Sequence, residues 1–560
     1  MTTEPTSSAT SSHSDRASDK PSATSTLYRG GFVYSPTDPF ATSMLVADDQ
    51  IAWIGSDEAA ATHANGVDRV VELDGALVTP TFVDAHVHLS QTGLGLRSVD
   101  LTDVRSVGEA LSRIETAARQ RAGRAVYAPN WDEQDWVDHR PPTTQELDRA
   151  TYGGVVYSPR VDGHSAVISS ALAAASGARE HPGWDTTGLV TREAHHAARD
   201  TFFASISPAD RRADIDAAML AAAAAGIGLV HENGGPTVSS EADFADVLAA
   251  GDRGDGPQVI GYWGELAGDE ESARTLASRM GARGLAGDLN IDGSIGSRTA
   301  SLRAPYADDP DQCGNAYLSV GQVRDHVVAC SMAGIQAGFH VIGDAGADTV
   351  IAGMQAAAAQ IGMARMPLAR HRLEHLEMVD AAGIKALVEM GVTASVQPAF
   401  DARWGGPNKM YAARLGRERV TGMNPFAAMA AAGLSLALGS DSPVTPFAPW
   451  EAVRAAAFHH DPPQQISVRS AFLAHTRGGW RAAGINDRGY LGLGQPASFA
   501  LWSVGDLVVQ APDDRISTCS TDPRSGTPGL PDLSPGVTLP INLRTVIRGR
   551  TVFDREGALS

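Results

Sequence analysis

From Leu27 onward the chain breaks into short runs in which apolar and polar residues alternate. They are LYRGGFVYSP (27–36), SMLVADDQIAWIGS (43–56) and RVVELDGALVTP (69–80), and turn-forming residues separate them. Period-two alternation over so few residues predicts β-strands, here a small sheet ahead of any helix. Two similar runs return near the other end, PASFALWSV (496–504) and LRTVIRGRTVF (543–553). Neither group offers enough strands for independent stability. The economical reading is one small β domain assembled from both termini, residues 27–78 plus 493–560, with the remainder inserted between.

Between these ends, strand-like apolar runs alternate with Ala-rich helical segments, the pattern of a parallel α/β fold. Eight runs qualify as barrel strands: 81–89, 226–232, 257–263, 289–293, 335–340, 371–375, 392–398 and 434–441. Eight strands with intervening helices predict a TIM barrel over 79–492. The gap after the first strand is long. It carries strand-like pieces of its own at 124–130 and 153–160, which predicts an insertion over about 95–215 placed to cover the barrel mouth. A Pro/Gly/Asp-rich stretch at 510–540 reads as a long flexible loop, and Ser/Thr-rich residues 1–26 as a disordered tail without a secretory h-region.

The chemistry sits where these strands end. Asp84-Ala85-His86-Val87-His88 closes the first run, and alternation puts both imidazoles on one face. His340 ends the fifth run, His375 the sixth, and Asp441 the eighth. Barrel active sites lie at that end of the strands. Imidazole and carboxylate donors gathered there suit a divalent metal, zinc first, with manganese or iron as alternatives.

Composition narrows the partners. Forty-five basic against 65 acidic residues leave a net charge of −20, which argues against nucleic-acid binding. No apolar run is long enough to span a bilayer. Cys313, Cys330 and Cys519 are widely spaced, without a thiolate zinc motif or a disulfide framework, so a reducing cytoplasm is expected. A small-molecule substrate is the expected partner, and a homodimer stays open. Lysine occurs only at Lys20, Lys385 and Lys409.

The segments TPTFVDAHVHL, RVDGHSAVISSAL, DGSIGSRTASL, FHVIGDAGAD, RLEHLEM, SVQPAF and LALGSDSPV together resemble the amidohydrolase superfamily, in its family 3 branch. The resemblance runs from Leu27 to Phe553 and extends to N-substituted formamide deformylase-like hydrolases. It implies a TIM barrel flanked by a composite β-sandwich, and hydrolysis of an amide, formamide or related C–N bond by metal-activated water. It implies His86, His88, His340 and His375 as metal-site histidines. Asp441 would be the aspartate that contacts the metal and moves the proton. It also places Asp162 and His164 near the active-site mouth.

One departure bears on metal number. Where many relatives carry a carboxylated lysine bridging two metals, this chain has Asp288, and no lysine lies between Lys20 and Lys385. Three outcomes follow. One metal is held by His86, His88, His340 and Asp441, with His375 on water or substrate, and this is the favoured one. Alternatively Asp288 or Asp292 supplies a shorter carboxylate, or catalysis is lost and a binding or regulatory protein remains. A deaminase of an amino-substituted ring is a further alternative, weakened because no glutamate follows His340 within HVIGD. Arg298 is a candidate for a substrate carboxylate, with Asp292 beside it. Trp131, Trp136 and Trp404 are candidates for a pocket wall. His231 and Glu232 read as a pair supporting the site, and His195-His196 and His459-His460 as surface pairs.

Overall fold

The computed structural model describes residues 24–120, 125–133, 136–161, 163, 165–509, 528–556 and 558. Eight parallel strands form the central sheet: Phe82–Val87, Ile227–Gly234, Gln258–Trp263, Gly284–Leu285, Gln336–Val341, Arg372–His375, Thr393–Val396 and Ser435–Leu438. Each pairs with its neighbour in sequence order, and the first meets the eighth through a Val87–Ser442 bridge and a 2.9 Å bond from Asp441 N to His86 O. The result is a mixed α/β fold around a nearly closed barrel. Strands such as Ile227–Gly234 are buried at every position, which is why they read as continuous apolar runs. Helices cover the outside and carry their own stop signals. Val320–Ala333, for example, opens on a Ser319/Gln322 capping box and ends at left-handed Gly334.

The fourth strand differs from expectation. The predicted 289–293 run is not a strand; the strand is Gly284–Leu285, and past it only Asn290 bridges to His340. Leu289 and Ile291 are buried, so the run looks like a strand in sequence, although its ladder is limited to His340 N bonding Leu289 O at 3.1 Å and Ile291 N bonding His340 O at 2.9 Å. Gly287, at φ +91°, makes that turn possible; a Cβ there would stand 2.8 Å from Asn233 Oδ1.

Strands from both ends of the chain share a five-stranded sheet: Phe32–Val33, Leu77–Pro80, Phe499–Ser503, Ile541–Ile547 and Arg550–Asp554. A four-stranded sheet of Gln50–Gly55, Ser43–Ala47, Ser25–Arg29 and Arg69–Glu72 lies with it around Tyr28, Met44, Val71, Phe499 and Val546. The first strand begins at Ser25, inside the tail expected to run to residue 26; residues 1–23 lie outside the described residues. Asn542 and Thr545 also bond the Ala223 carbonyl at the end of the Pro208–Ala224 helix. Removing residues 543–560 is therefore expected to raise hydrogen exchange in Leu77–Pro80 and in Pro208–Ala224. Faster exchange confined to Phe499–Ser503 would contradict this coupling.

The insertion forms a second α/β unit with a four-stranded sheet, Val126–Tyr127, Val156–Pro159, Ala166–Ile168 and Leu189–Val190, and cores of its own. It ends before Pro208, earlier than the expected 215, because Pro208–Ala224 packs on Leu89–Leu96 beside the barrel. There a Cβ at Gly93 would overlap Asp214 O, at 1.7 Å. Trp131 and Trp136 belong to the insertion's core, and Trp131 donates to Ser158 O at 2.8 Å, so neither is a free pocket wall. His195, expected at the surface, is buried against the Tyr157 hydroxyl at 2.8 Å. Within the expected 510–540 loop, residues 510–527 lie outside the described residues. Of the rest, Leu530 and Leu533 are buried and Leu530–Pro531 pairs with Leu507–Val508, while residues 535–538 are exposed.

Candidate metal centre

Alternation in the first strand turns Asp84, His86 and His88 to one side. Asp84 serves the backbone, its Oδ1 accepting from Ser440 N at 2.8 Å and so tying the first strand to the eighth; burial raises its pKa to about 6. His86 and His88 face two carboxylates. His86 Nε2 lies 3.4 Å from Asp288 Oδ1 and 3.5 Å from Asp441 Oδ1, and His88 Nε2 lies 3.2 Å from Asp288 Oδ2 and 3.2 Å from Asp441 Oδ1. His340 Nδ1 is 3.8 Å from Asp288 Oδ1, while its Nε2 reaches Gly293 O at 3.2 Å. His375 and His340 rings stand 4.4 Å apart, and His375 Nδ1 is held by Gln397 Oε1 at 2.8 Å.

Two of these side chains enter the site through unusual backbone. His375 and Asp441 have φ +69° and +55°. Strand alternation alone would send His375 away from the side taken by Glu374. The left-handed turn swings it into the mouth, at a conformational cost that structured surroundings must hold. Asp288 arrives by the Gly287 turn described above. From there its short side chain stands 3.4 Å from His86 Nε2 and 3.2 Å from His88 Nε2.

His86 Nε2, Asp288 Oδ1 and Asp441 Oδ1 are buried and complete no hydrogen bond. The distances of 3.2–3.5 Å from the His86 and His88 Nε2 atoms to these two carboxylates exceed a good charge-assisted hydrogen bond. They match the edge of about 3.3 Å that ligands at about 2.0–2.1 Å subtend around a tetrahedral ion. Donor atoms of His86, His88 and Asp441 all lie within 4.8 Å of one another, as do those of His86, Asp288 and His375. The residues present therefore fit a cation. The two carboxylates also draw protons onto His86 and His88, so a cation that binds here displaces those protons. Burial alone would strip the proton from His86, but Asp441 and Asp288 outweigh it and raise the pKa to about 10. Burial also works against ionised Asp288, and His86 and His88 override it, holding that carboxyl well below its usual range. His375, pushed to about 3 by burial and by its neighbours His340 and His86, stays neutral.

Behind the donors lies a feature that the sequence reading missed. His86 Nδ1 meets Glu374 Oε2 at 2.9 Å, and Glu374 is clasped by Arg372 at 2.5 and 2.9 Å. Burial would raise the Glu374 pKa; the guanidinium overrides it and keeps the carboxylate charged. Its signal was present in HRLEH, where alternation places two charges on one face of a buried strand. Of the expected supporting pair, Glu232 Oε2 accepts from Leu89 N at 2.9 Å and His231 faces Arg372.

Other expectations change. Asp292 is fully buried and accepts from Ser301, Ile342 and Gly343 amides at 2.8–2.9 Å, so it pins loops and is not presented to a ligand. Arg298 is spent on Asp308 at 2.7 and 3.0 Å. Asp162 and His164 lie outside the described residues. His459 and His460 are not surface residues: both turn to buried Asp401, which His460 bonds through its backbone N at 3.1 Å and Nδ1 at 2.5 Å, tying the Pro398–Trp404 helix to the 458–461 loop, while His459 Nε2 lies 3.1 Å from the same carboxylate. The preceding Phe400 ring stacks on His375 at 6.0 Å and meets Trp404 at a tilt at 5.0 Å, so Trp404 backs the site through Phe400.

The sequence profile of the amidohydrolase family matches residues 69–553. The chain belongs to the amidohydrolase family. Within it, the chain is 26% identical to protein LONG AFTER FAR-RED 3 of Arabidopsis thaliana over 86% of this chain and 87% of that one. It is 24% identical to the putative amidohydrolase YtcJ of Bacillus subtilis over 85% and 94%. N-substituted formamide deformylase of Arthrobacter pascens is 23% identical over 73% and 79%. In fold, this amidohydrolase is similar to a metal-dependent hydrolase from Pyrococcus horikoshii OT3, at a TM-score of 0.69 and 22% identity over 85% of this chain and 97% of that one. Among the described residues of this family member, no helix is long and apolar enough to cross a membrane.

Proposed function

We propose that this hydrolase cleaves a non-peptide C–N bond of a small amide or formamide, with one divalent cation, zinc first, held by His86, His88, Asp288 and Asp441. The observation that carries the reading is the set of buried, unsatisfied donor atoms at ligand-to-ligand spacing. Both donor groups contain His86, so we read them as one cation position, with Asp288 in the place that the favoured sequence reading gave to His340 and with His375 beside it. A cation bound there supplies Lewis acidity and brings the pKa of water to about 7.

The chain's own groups do the rest. Asp441, anionic and buried beside His88, accepts the proton of the attacking water on a carboxylate oxygen and returns it to the leaving nitrogen. His375, neutral and donating Nδ1–H to Gln397 Oε1, presents a bare Nε2 that accepts a hydrogen bond from the attacking water. His340 takes its place beside it, its ring set by the Gly293 carbonyl. The relative named as an N-substituted formamide deformylase supports the C–N reading.

The test is a hydrolysis screen of N-substituted formamides and simple amides with metal-loaded and chelated enzyme. Metal-dependent release of amine is expected. A folded, metal-loaded enzyme inert toward every C–N substrate but active on esters would overturn the bond assignment. For the ligand set, Asp288→Ala is expected to weaken zinc binding by more than the about 10–100-fold that loss of an outer hydrogen-bond partner costs. Unchanged affinity in a competition titration would remove Asp288 from the site.

A further inference from the structure

The interior of a TIM barrel is ordinarily filled by layers of branched apolar side chains. Here one layer is a buried arginine. Arg372 is fully enclosed, and its guanidinium touches five strands. It grips Glu374 on its own strand at 2.5 and 2.9 Å, and Nη2 donates to Ala85 O on the first strand at 2.7 Å and to Ser395 Oγ on the seventh at 3.1 Å. Nη1 faces His231 Nδ1 on the second strand at 3.1 Å, and the plane lies 4.3 Å from the Tyr262 ring centroid on the third. The fifth strand makes room: a Cβ at Gly338 would stand 2.8 Å from Arg372 Cγ. Few residues could be placed at greater expense, since a buried ion pair commonly stabilises less than apolar side chains of the same volume.

We propose that Arg372 and Glu374 are positioning residues that set the ring orientation and tautomer of His86 for metal binding. The inference rests on the cation site proposed above. Glu374, bonded twice by the guanidinium, presents Oε2 to His86 Nδ1 only as an acceptor. His86 must then keep a proton on Nδ1, so Nε2, which faces Asp288 and Asp441, is the nitrogen that gives up its proton to a cation. The Ala85 carbonyl contact fixes the first strand one residue before His86, so the same guanidinium aligns both the ring and the backbone that bears it. An apolar layer would fill the space equally well and could do neither.

The experiment measures zinc affinity by chelator competition and the melting temperature of the metal-free protein. It compares wild type, Arg372→Met/Glu374→Leu, Glu374→Gln and His86→Ala. The double variant removes both charges together, so no lone buried charge remains. It is expected to melt at or above the wild-type temperature when metal-free, yet to bind zinc about 10–100-fold more weakly. Glu374→Gln keeps a carbonyl oxygen for His86 but can also turn its amide, so a smaller loss is expected; it decides the question if the double variant does not fold. Wild-type zinc affinity in a folded variant that lacks the carboxylate would overturn the positioning role while leaving the site intact. Wild-type protein that binds no zinc, or binds it as well after His86→Ala, would overturn the site and the inference with it.

Discussion

The double substitution His86→Ala/His88→Ala is expected to abolish tight metal retention while leaving the barrel folded. Both side chains leave one face of the first strand and together provide half of the proposed donor set. A single carboxylate pair facing an emptied strand face cannot replace two imidazoles. The fold should survive, because the barrel's apolar core does not pass through these rings. It runs on the outer face of the strands and under the helices, through residues such as Phe82, Phe244, Phe339 and Leu373. Loss of His86 leaves Glu374 bonded to Arg372, while Asp288 and Asp441 lose the imidazoles that keep them charged, so they take up protons and the melting temperature falls without loss of the fold. Elemental analysis and circular dichroism on the same sample check both halves. Metal content equal to wild type would remove the centre from these residues.

Asp441→Asn is expected to keep the fold and to lose most turnover. Asparagine tolerates the left-handed backbone at φ +55° better than most residues, and the backbone bonds around it, from Asp441 N to His86 O and from Val444 N to Asp441 O, need no carboxylate. What the amide cannot do is accept the proton. Removing a positioned acid–base group costs about 10²–10⁴-fold in rate. Part of the loss will appear as weaker metal binding, because the Asp441 Oδ1 atom faces His88 at 3.2 Å. Assay at saturating metal separates the two contributions. Near-normal turnover under those conditions would take the proton-transfer role from Asp441.

Much of the barrel was legible because its strands are buried on both faces and announce themselves as apolar runs; the first, second, third and fifth to eighth strands fall where the pattern put them. The fourth escaped because Leu289 and Ile291 are buried for another reason, in chain that turns at Gly287 to bring Asp288 inward. The residues at the strand ends that the sequence pointed to, His86, His88, His340, His375 and Asp441, are brought together. Asp288 was legible as the residue in the lysine's place, but its reach depends on a left-handed glycine and a two-residue strand, which no local pattern reports. Asp401 meets His459 and His460 across nearly sixty residues, a contact made by tertiary packing and invisible to spacing. Asp292 and Arg298 carry charges that look available in sequence, yet backbone amides and Asp308 use them.

The most direct test of the metal centre is a titration of metal-free protein with zinc, following bound metal and amine release from an N-substituted formamide in the same samples. One donor position with four ligands predicts a break at one zinc per chain, with activity rising in step and levelling at that break. Activity that is complete without metal, or that rises only as a second equivalent binds, would contradict the account.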